Sequence, residues 1–162
     1  MRNIESAHTK PKLISYGATG GLVTGSCYRI DGRGSSFLVD AGLVQGKFEE
    51  RSARGEIRNL TPADKIIGRS RVVFVTHAHI DHTGRLPILH KKGEGPKVFT
   101  TKLTATIMGT MLENSAQIQE SDPKKQGLYT QDDVDKTMRN VIGFDPLARM
   151  PVDILGTDNH AQ

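Results

Sequence analysis

The stretch that most constrains this chain is Val72-Val73-Phe74-Val75-Thr76-His77-Ala78-His79-Ile80-Asp81-His82-Thr83-Gly84. Four apolar residues in succession read as a buried strand. Three histidines and an aspartate follow between positions 77 and 82, and imidazole and carboxylate are the ordinary protein ligands of zinc and similar divalent ions. Spacing adds to the count. On an extended path continuing past Thr76, His77 and His79 point the same way, because side chains two apart share a face. Those two can grip one ion, and the turn beyond can bring Asp81 and His82 to a second. A lone histidine is more often hydrogen-bonded in a core. Four ligand-type residues at one strand end favour a metal centre over an accidental polar turn.

The remainder of the chain sets the frame. Its 162 residues suffice for one domain with a real core. Hydrophobic residues at 36% and charged residues at 25%, with no tryptophan, give a soluble globular composition lean in large apolar side chains. A formal charge of +4 permits an anionic partner without demanding one. A single cysteine, Cys27, excludes an internal disulfide framework and fits a reducing compartment. It sits in an apolar strand pattern, so a buried core thiol is expected. No run of about 18 apolar residues exists to span a bilayer, and the polar start Met1-Arg2-Asn3-Ile4-Glu5 carries no export signal. A cytoplasmic location follows.

Residues 1–11 read as a polar arm. Lys12 to Tyr16 has strand character and ends at the glycine cluster Gly17-Ala18-Thr19-Gly20-Gly21. A dinucleotide fingerprint needs a helix next, whereas Ser26 to Ile30 alternates like a strand, so the glycines read as a tight connection. Asp31-Gly32-Arg33-Gly34 signals a hairpin turn into Ser36-Phe37-Leu38-Val39, which ends at Asp40-Ala41-Gly42. Gln45 to Asp64 reads as a long exposed loop. A short helix is predicted over Arg85 to Lys92, a strand over Lys97 to Thr100, and a long helix from Thr101 to about Glu120. Leu103, Ile107, Met108, Met111 and Leu112 are expected on the inward face of that long helix. Thr130-Gln131-Asp132-Asp133 looks like a capping box opening a further helix with Val134 and Met138 inward. Val141 to Phe144 and Val152 to Leu155 are short strand candidates.

Strands, a glycine turn, a strand ending in Asp40, then T-H-x-H-x-D-H and a helix: this order resembles the metallo-β-lactamase fold superfamily. Within it the chain looks most like the β-CASP branch, the RNA-processing nucleases related to the cleavage and polyadenylation endonuclease and its prokaryotic homologues. The closer match rests on Gly25-Ser26-Cys27-Tyr28, on Phe37 to Gly46, on Thr76 to Pro87 with its Gly84-Arg85-Leu86-Pro87 extension, on Glu113 to Gln119 and on Tyr129 to Val134. The resemblance runs from about residue 12 to residue 140. It implies that His77 and His79 bind a first zinc, that Asp81 and His82 bind a second, and that Asp40 acts from behind the ligands by orienting a metal-bound histidine. The other reading of Asp40 is a strand-end carboxylate accepting backbone N–H groups in a turn. By resemblance, Asp81 and Asp40 are the catalytic candidates, RNA is the partner, and a metal-bound hydroxide attacks the phosphodiester. No membrane partner is expected.

Ligand counting departs from the family. Each zinc takes three or more protein ligands, yet the motif offers two apiece. Of the remaining histidines, His8 lies in the arm and His90 lies beside Lys91 and Lys92, where a solvated residue is expected. Family members carry a third motif, H-A-G-H, where this chain reads His160-Ala161-Gln162 and ends. The expected architecture is therefore α/β, a metallo-β-lactamase-like α/β/β/α sandwich represented mainly by its first sheet and flanking helices. Residues 12–162 read as a truncated N-terminal part whose β-CASP insertion and C-terminal half are absent. The sheet face meant for the second sheet would lack its partner, so the missing half or self-association would cover it. Two other functions stay open: a thiolester or lactam hydrolase on the same fold, and a non-catalytic fragment that binds metal or a partner.

Overall fold

A computed structural model describes residues 10–17, 23–32, 35–45, 59–93, 95–121 and 127–147. Six strands lie side by side in chain order: β1 (Lys12–Ser15), β2 (Tyr28–Gly32), β3 (Ser35–Val39), β4 (Val72–Phe74), β5 (Lys97–Thr101) and β6 (Val141–Phe144). The first three pair antiparallel, and β3 through β6 pair parallel. Antiparallel neighbours can be joined by short turns, whereas parallel neighbours need a crossover. The helices supply those crossovers. α1 (Ala63–Ile67) lies between β3 and β4, α2 (Ile80–Thr83) and α3 (Leu86–His90) between β4 and β5, and α4 (Lys102–Ser121) and α5 (Gln131–Met138) between β5 and β6. Gly32 pairs with Ser35, as the hairpin signal predicted. The glycine cluster is followed by the strand β2, as expected. Residues 1–9, most of the loop expected at 45–64, the strand candidate Val152–Leu155, His8 and His160 lie outside the described residues.

Side-chain alternation gives the sheet two different faces. The register sets Leu38, Val73, Val98 and Val141 in one row. That row joins Ile66, Leu86, Leu89, Met108, Leu112, Ala116, Tyr129 and Val134 from the helices and connections in one hydrophobic cluster. The alternate row is Val39, Phe74, Phe99 and Ile142, none of which belongs to that cluster. Phe74 meets Phe37 edge-on at 5.7 Å and Phe99 at 5.9 Å. At the margins of this second face Leu13 and Ile142 stay 66% and 43% exposed.

Four expectations need correction. The segment read as an exposed loop to Asp64 runs into α1, and Asn59 holds Val44 through both its amide groups (2.9 and 3.0 Å). The strand at the motif ends at Phe74, with the Val75 N–H still donating to the Phe99 carbonyl at 2.9 Å, and the turn beyond it is a short helix, α2. The long helix buries Met108, Gly109, Leu112 and Ala116 and leaves Leu103 and Ile107 in the open. Gly109 lies on the buried face, where a Cβ would stand 3.2 Å from the Met138 methyl of α5. His90, expected in solvent, is fully buried, with Nδ1 2.9 Å from the Leu86 carbonyl and Nε2 3.0 Å from that of Pro96. Its lysine neighbours are exposed, but one helical step turns the imidazole inward. The capping box forms as predicted, with Thr130 N–H donating to Asp133 at 3.1 Å. Cys27 is a buried free thiol, pushed up to about 11 by burial, with Arg85 pulling down and Asp40 pushing up.

Candidate metal centre

The motif residues collect at the carboxyl ends of the parallel pair β3 and β4, the edge at which open α/β sheets place their ligands. Asp40 follows β3 directly. Its backbone N–H reaches the Phe74 carbonyl at 2.9 Å, and its φ of 59° is a left-handed conformation that aspartate tolerates better than most residues. The carboxylate is 2% exposed, so its lone pairs need donors. One oxygen accepts the Thr76 N–H at 2.9 Å, and the other accepts from Ser26 Oγ at 3.3 Å and His82 Nδ1 at 2.8 Å. The Thr76 hydroxyl lies 3.1 and 3.0 Å from the two oxygens. Asp40 thus accepts a backbone N–H, as a turn carboxylate does, and also meets the His82 ring.

A carboxylate only accepts, so the His82 nitrogen facing it carries a proton, and in the neutral ring Nε2 is then the nitrogen with the lone pair. That Nε2 lies 3.8 Å from Asp81 Oδ2. The Thr76 hydroxyl also lies 3.0 Å from His77 Nδ1. When its single proton is on the Asp40 side it accepts from that nitrogen, and the neutral His77 ring then carries a bare Nε2. The His77 ring stands 3.9 Å from that of His82 and 4.8 Å from that of His79 between centroids. His79, exposed, occupies the N-cap position of α2.

Backbone contacts hold this cluster. Ala41 N–H donates to the His82 carbonyl at 2.8 Å, Leu43 N–H to that of Ile80 at 3.0 Å, and Ser26 N–H to that of Asp81 at 2.8 Å. Gly42 lies so close to α2 that a Cβ would fall 1.6 Å from the Asp81 carbonyl oxygen. Only glycine fits there. Sequence reasoning gave no task to Thr76 or Ser26. Their signal was position: a hydroxyl residue immediately before the first histidine, and another in the segment matching the family.

The donor types and the tautomers of His77 and His82 suit a divalent ion. Among the described residues, however, no three His, Cys, Asp or Glu side chains converge closely enough to hold one ion. The ligand-type residues lie side by side: the His77 ring neighbours those of His79 and His82, and His82 neighbours Asp81.

The profile of the Metallo-beta-lactamase superfamily matches residues 20–161. Ribonuclease TTHA0252 of Thermus thermophilus is 33% identical over 109 residues, covering 67% of this chain and 23% of that protein. Probable RNase MJ4 of Methanocaldococcus jannaschii is 35% identical over 119 residues, 72% of this chain and 25% of that protein. Transcription termination factor FttA of Methanosarcina mazei is 31% identical over 140 residues, 85% of this chain and 21% of that protein. The chain thus spans about a quarter of the length of the curated relatives it matches. With a profile that runs across most of its length and a histidine–aspartate cluster at the carboxyl ends of β3 and β4, the chain belongs to the metallo-beta-lactamase superfamily, among relatives of the β-CASP branch.

Proposed function

We propose that the chain is part of a zinc-dependent hydrolase that cleaves RNA phosphodiesters. The observation that carries this reading is the hydrogen-bonded run His77–Thr76–Asp40–His82, which engages Nδ1 of both rings and leaves Nε2 of each outside the run, that of His82 3.8 Å from the Asp81 carboxylate. In this reading His77 and His79 hold one ion and Asp81 and His82 a second. An ion held by these residues would supply Lewis-acid neutralisation of charge at phosphorus and activation of the attacking water. The chain's own residues do the rest. Asp40 keeps the His82 proton on Nδ1 and fixes its ring, and Thr76 passes the same orientation to His77. The names of the relatives, two of them RNases, support RNA as substrate, and the buried thiol suits a reducing, cytoplasmic setting. No described helix is long and apolar enough to cross a membrane.

The reading extends to completeness. We take residues 12–162 as the N-terminal part of a longer hydrolase, with further ligands supplied from outside it, which accords with the pairwise donors and the greater length of the relatives. Zinc titration against a chromophoric chelator tests the site. Binding is expected to weaken in the His77→Ala/His79→Ala double variant, and tight binding indifferent to that change overturns the assignment. Incubation with single-stranded RNA tests completeness. The chain alone should cleave little. Robust zinc-dependent cleavage, abolished by Asp81→Ala, would uphold the hydrolase and refute the incompleteness.

A further inference from the structure

Arg85 is fully buried, and it is the largest side chain in the interior of the described residues. A guanidinium does not give up its charge in a protein, and burying it is costly unless its donors are used. Two of those donors go to main-chain carbonyl groups, one of them in the turn that carries Asp40. Nε donates to the Gly42 carbonyl at 2.6 Å and a terminal nitrogen to that of Tyr16 at 3.4 Å. The Arg85 backbone N–H reaches the Ala41 carbonyl at 2.7 Å. The residue therefore grips the turn at 40–43 through both main chain and side chain, and ties it to the end of the segment that follows β1.

That turn is the one on which the cluster depends. It presents the Asp40 carboxylate, and it is bonded to α2 through Ala41 and Leu43. Its first residue holds a left-handed conformation, which persists only where the surroundings over-determine it. Gly17, on the other side, admits the guanidinium: a Cβ there would stand 3.3 Å from the Arg85 terminal nitrogen and 1.7 Å from the Gly25 carbonyl oxygen. An apolar side chain would fill the same interior volume without the desolvation cost. A planar fork of donors adds what an apolar residue does not, namely fixed directions to the carbonyl groups it holds.

We propose that Arg85 is a positioning residue of the metal centre, clamping the 40–43 turn so that the Asp40 carboxylate meets His82 Nδ1 and leaves Nε2 free. The proposal rests on the metal reading above, and two measurements separate its failure from the failure of that reading. The first needs no metal: the side-chain Nδ1–H resonance of His82 in the 15N-labelled full chain. The second is cobalt(II) affinity, from the visible absorption of the bound ion. The variants are Arg85→Met, which keeps length without donors, and Arg85→Lys, which keeps charge without the fork. Val134→Ala in α5 serves as a core-weakened control.

In both Arg85 variants the His82 resonance should broaden or vanish and cobalt affinity should fall by about 10–100-fold, the range for partners that orient metal ligands. Val134→Ala should lower the melting temperature and leave both readouts in place. Cooperative melting of the Arg85 variants with both readouts unchanged overturns the proposal, as does an equal loss in the control. If neither Arg85 variant folds while the control does, the residue is a brace for the whole fold and the proposal is overturned. A wild-type chain that shows the His82 resonance but takes up no cobalt sinks the metal reading alone, and the resonance then decides the role of Arg85.

Discussion

Replacing Thr76 by valine keeps the shape of the side chain and deletes one hydroxyl. That hydroxyl lies 3.1 and 3.0 Å from the two Asp40 oxygens and 3.0 Å from His77 Nδ1. Its single proton is shared between the two oxygens, so the loss to Asp40 amounts to one hydrogen bond to a charged group, a net of about 1.5–3 kcal/mol. Asp40 keeps the Thr76 N–H, Ser26 and His82 as donors, and Thr76 is exposed, so water replaces part of the loss. The lower end, about 1.5 kcal/mol, is therefore expected, roughly a tenfold change in the folding equilibrium. With a urea slope of about 2 kcal/mol per molar, the midpoint should fall by about 0.7 M. The same substitution frees His77 Nδ1, so 15N shifts at neutral pH should show a mixture of tautomers at His77 and no change at His82. Thr76→Ser should restore both. A midpoint shift below about 0.2 M with an unaltered His77 tautomer would refute the relay from Asp40 through Thr76.

Three further outcomes are expected. The second sheet face, bearing Leu13, Phe37, Phe74 and Ile142, should make the isolated chain bind a hydrophobic dye or self-associate, because contiguous apolar exposure marks an interface; light scattering that shows a dye-negative monomer with a cooperative melt would contradict this. Cys27, pushed up to about 11 by burial, should resist alkylation at pH 8 until denaturant is added, and rapid labelling of the native chain would count against the buried assignment. The Ser36 hydroxyl at 2.7 Å, with Arg29 assisting against the opposing effect of burial, holds the Asp31 carboxyl below its ordinary value. A lowered carboxyl stabilises the fold above its unfolded pKa and loses that contribution as pH falls through the folded value. Ser36→Ala should therefore raise the Asp31 midpoint in a carboxylate NMR titration and shrink the loss of stability on the acid side, and an unmoved midpoint would show that Ser36 is not the cause.

The histidine–aspartate cluster was legible because its signal is local. Four of the six positions from His77 to His82 carry the ligand types, and the family match supplied Asp40 from the far end of β3. The strands at 12–15, 28–32, 35–39, 97–101 and 141–144 were legible from alternation and turn residues, and the capping box from Thr130 and Asp133. What sequence did not reveal is set by contacts between distant segments. The inward face of α4 includes Gly109, packed near Met138 of α5, a contact that no count of apolar residues within the helix contains. His90 looks solvated beside two lysines, but its ring is claimed by the carbonyl groups of Leu86 and Pro96, one of them beyond the end of α3. Thr76 was visible as a letter of the motif. Its task depends on a carboxylate 36 residues earlier.

Spatial order in the sheet equals chain order, and this has a consequence in time. Each strand, as it leaves the ribosome, finds its neighbour already made. The antiparallel meander β1–β2–β3 needs only short closures, whereas each later strand waits for a crossover. Asp40, Thr76, His77, His79, Asp81, His82 and Arg85 have all been synthesised before β5 begins at Lys97. The long helix α4, whose Met108 and Leu112 complete the interior beneath them, comes afterwards. During synthesis, the residues of the candidate metal centre are therefore present together while one side of their supporting sheet still awaits its cover.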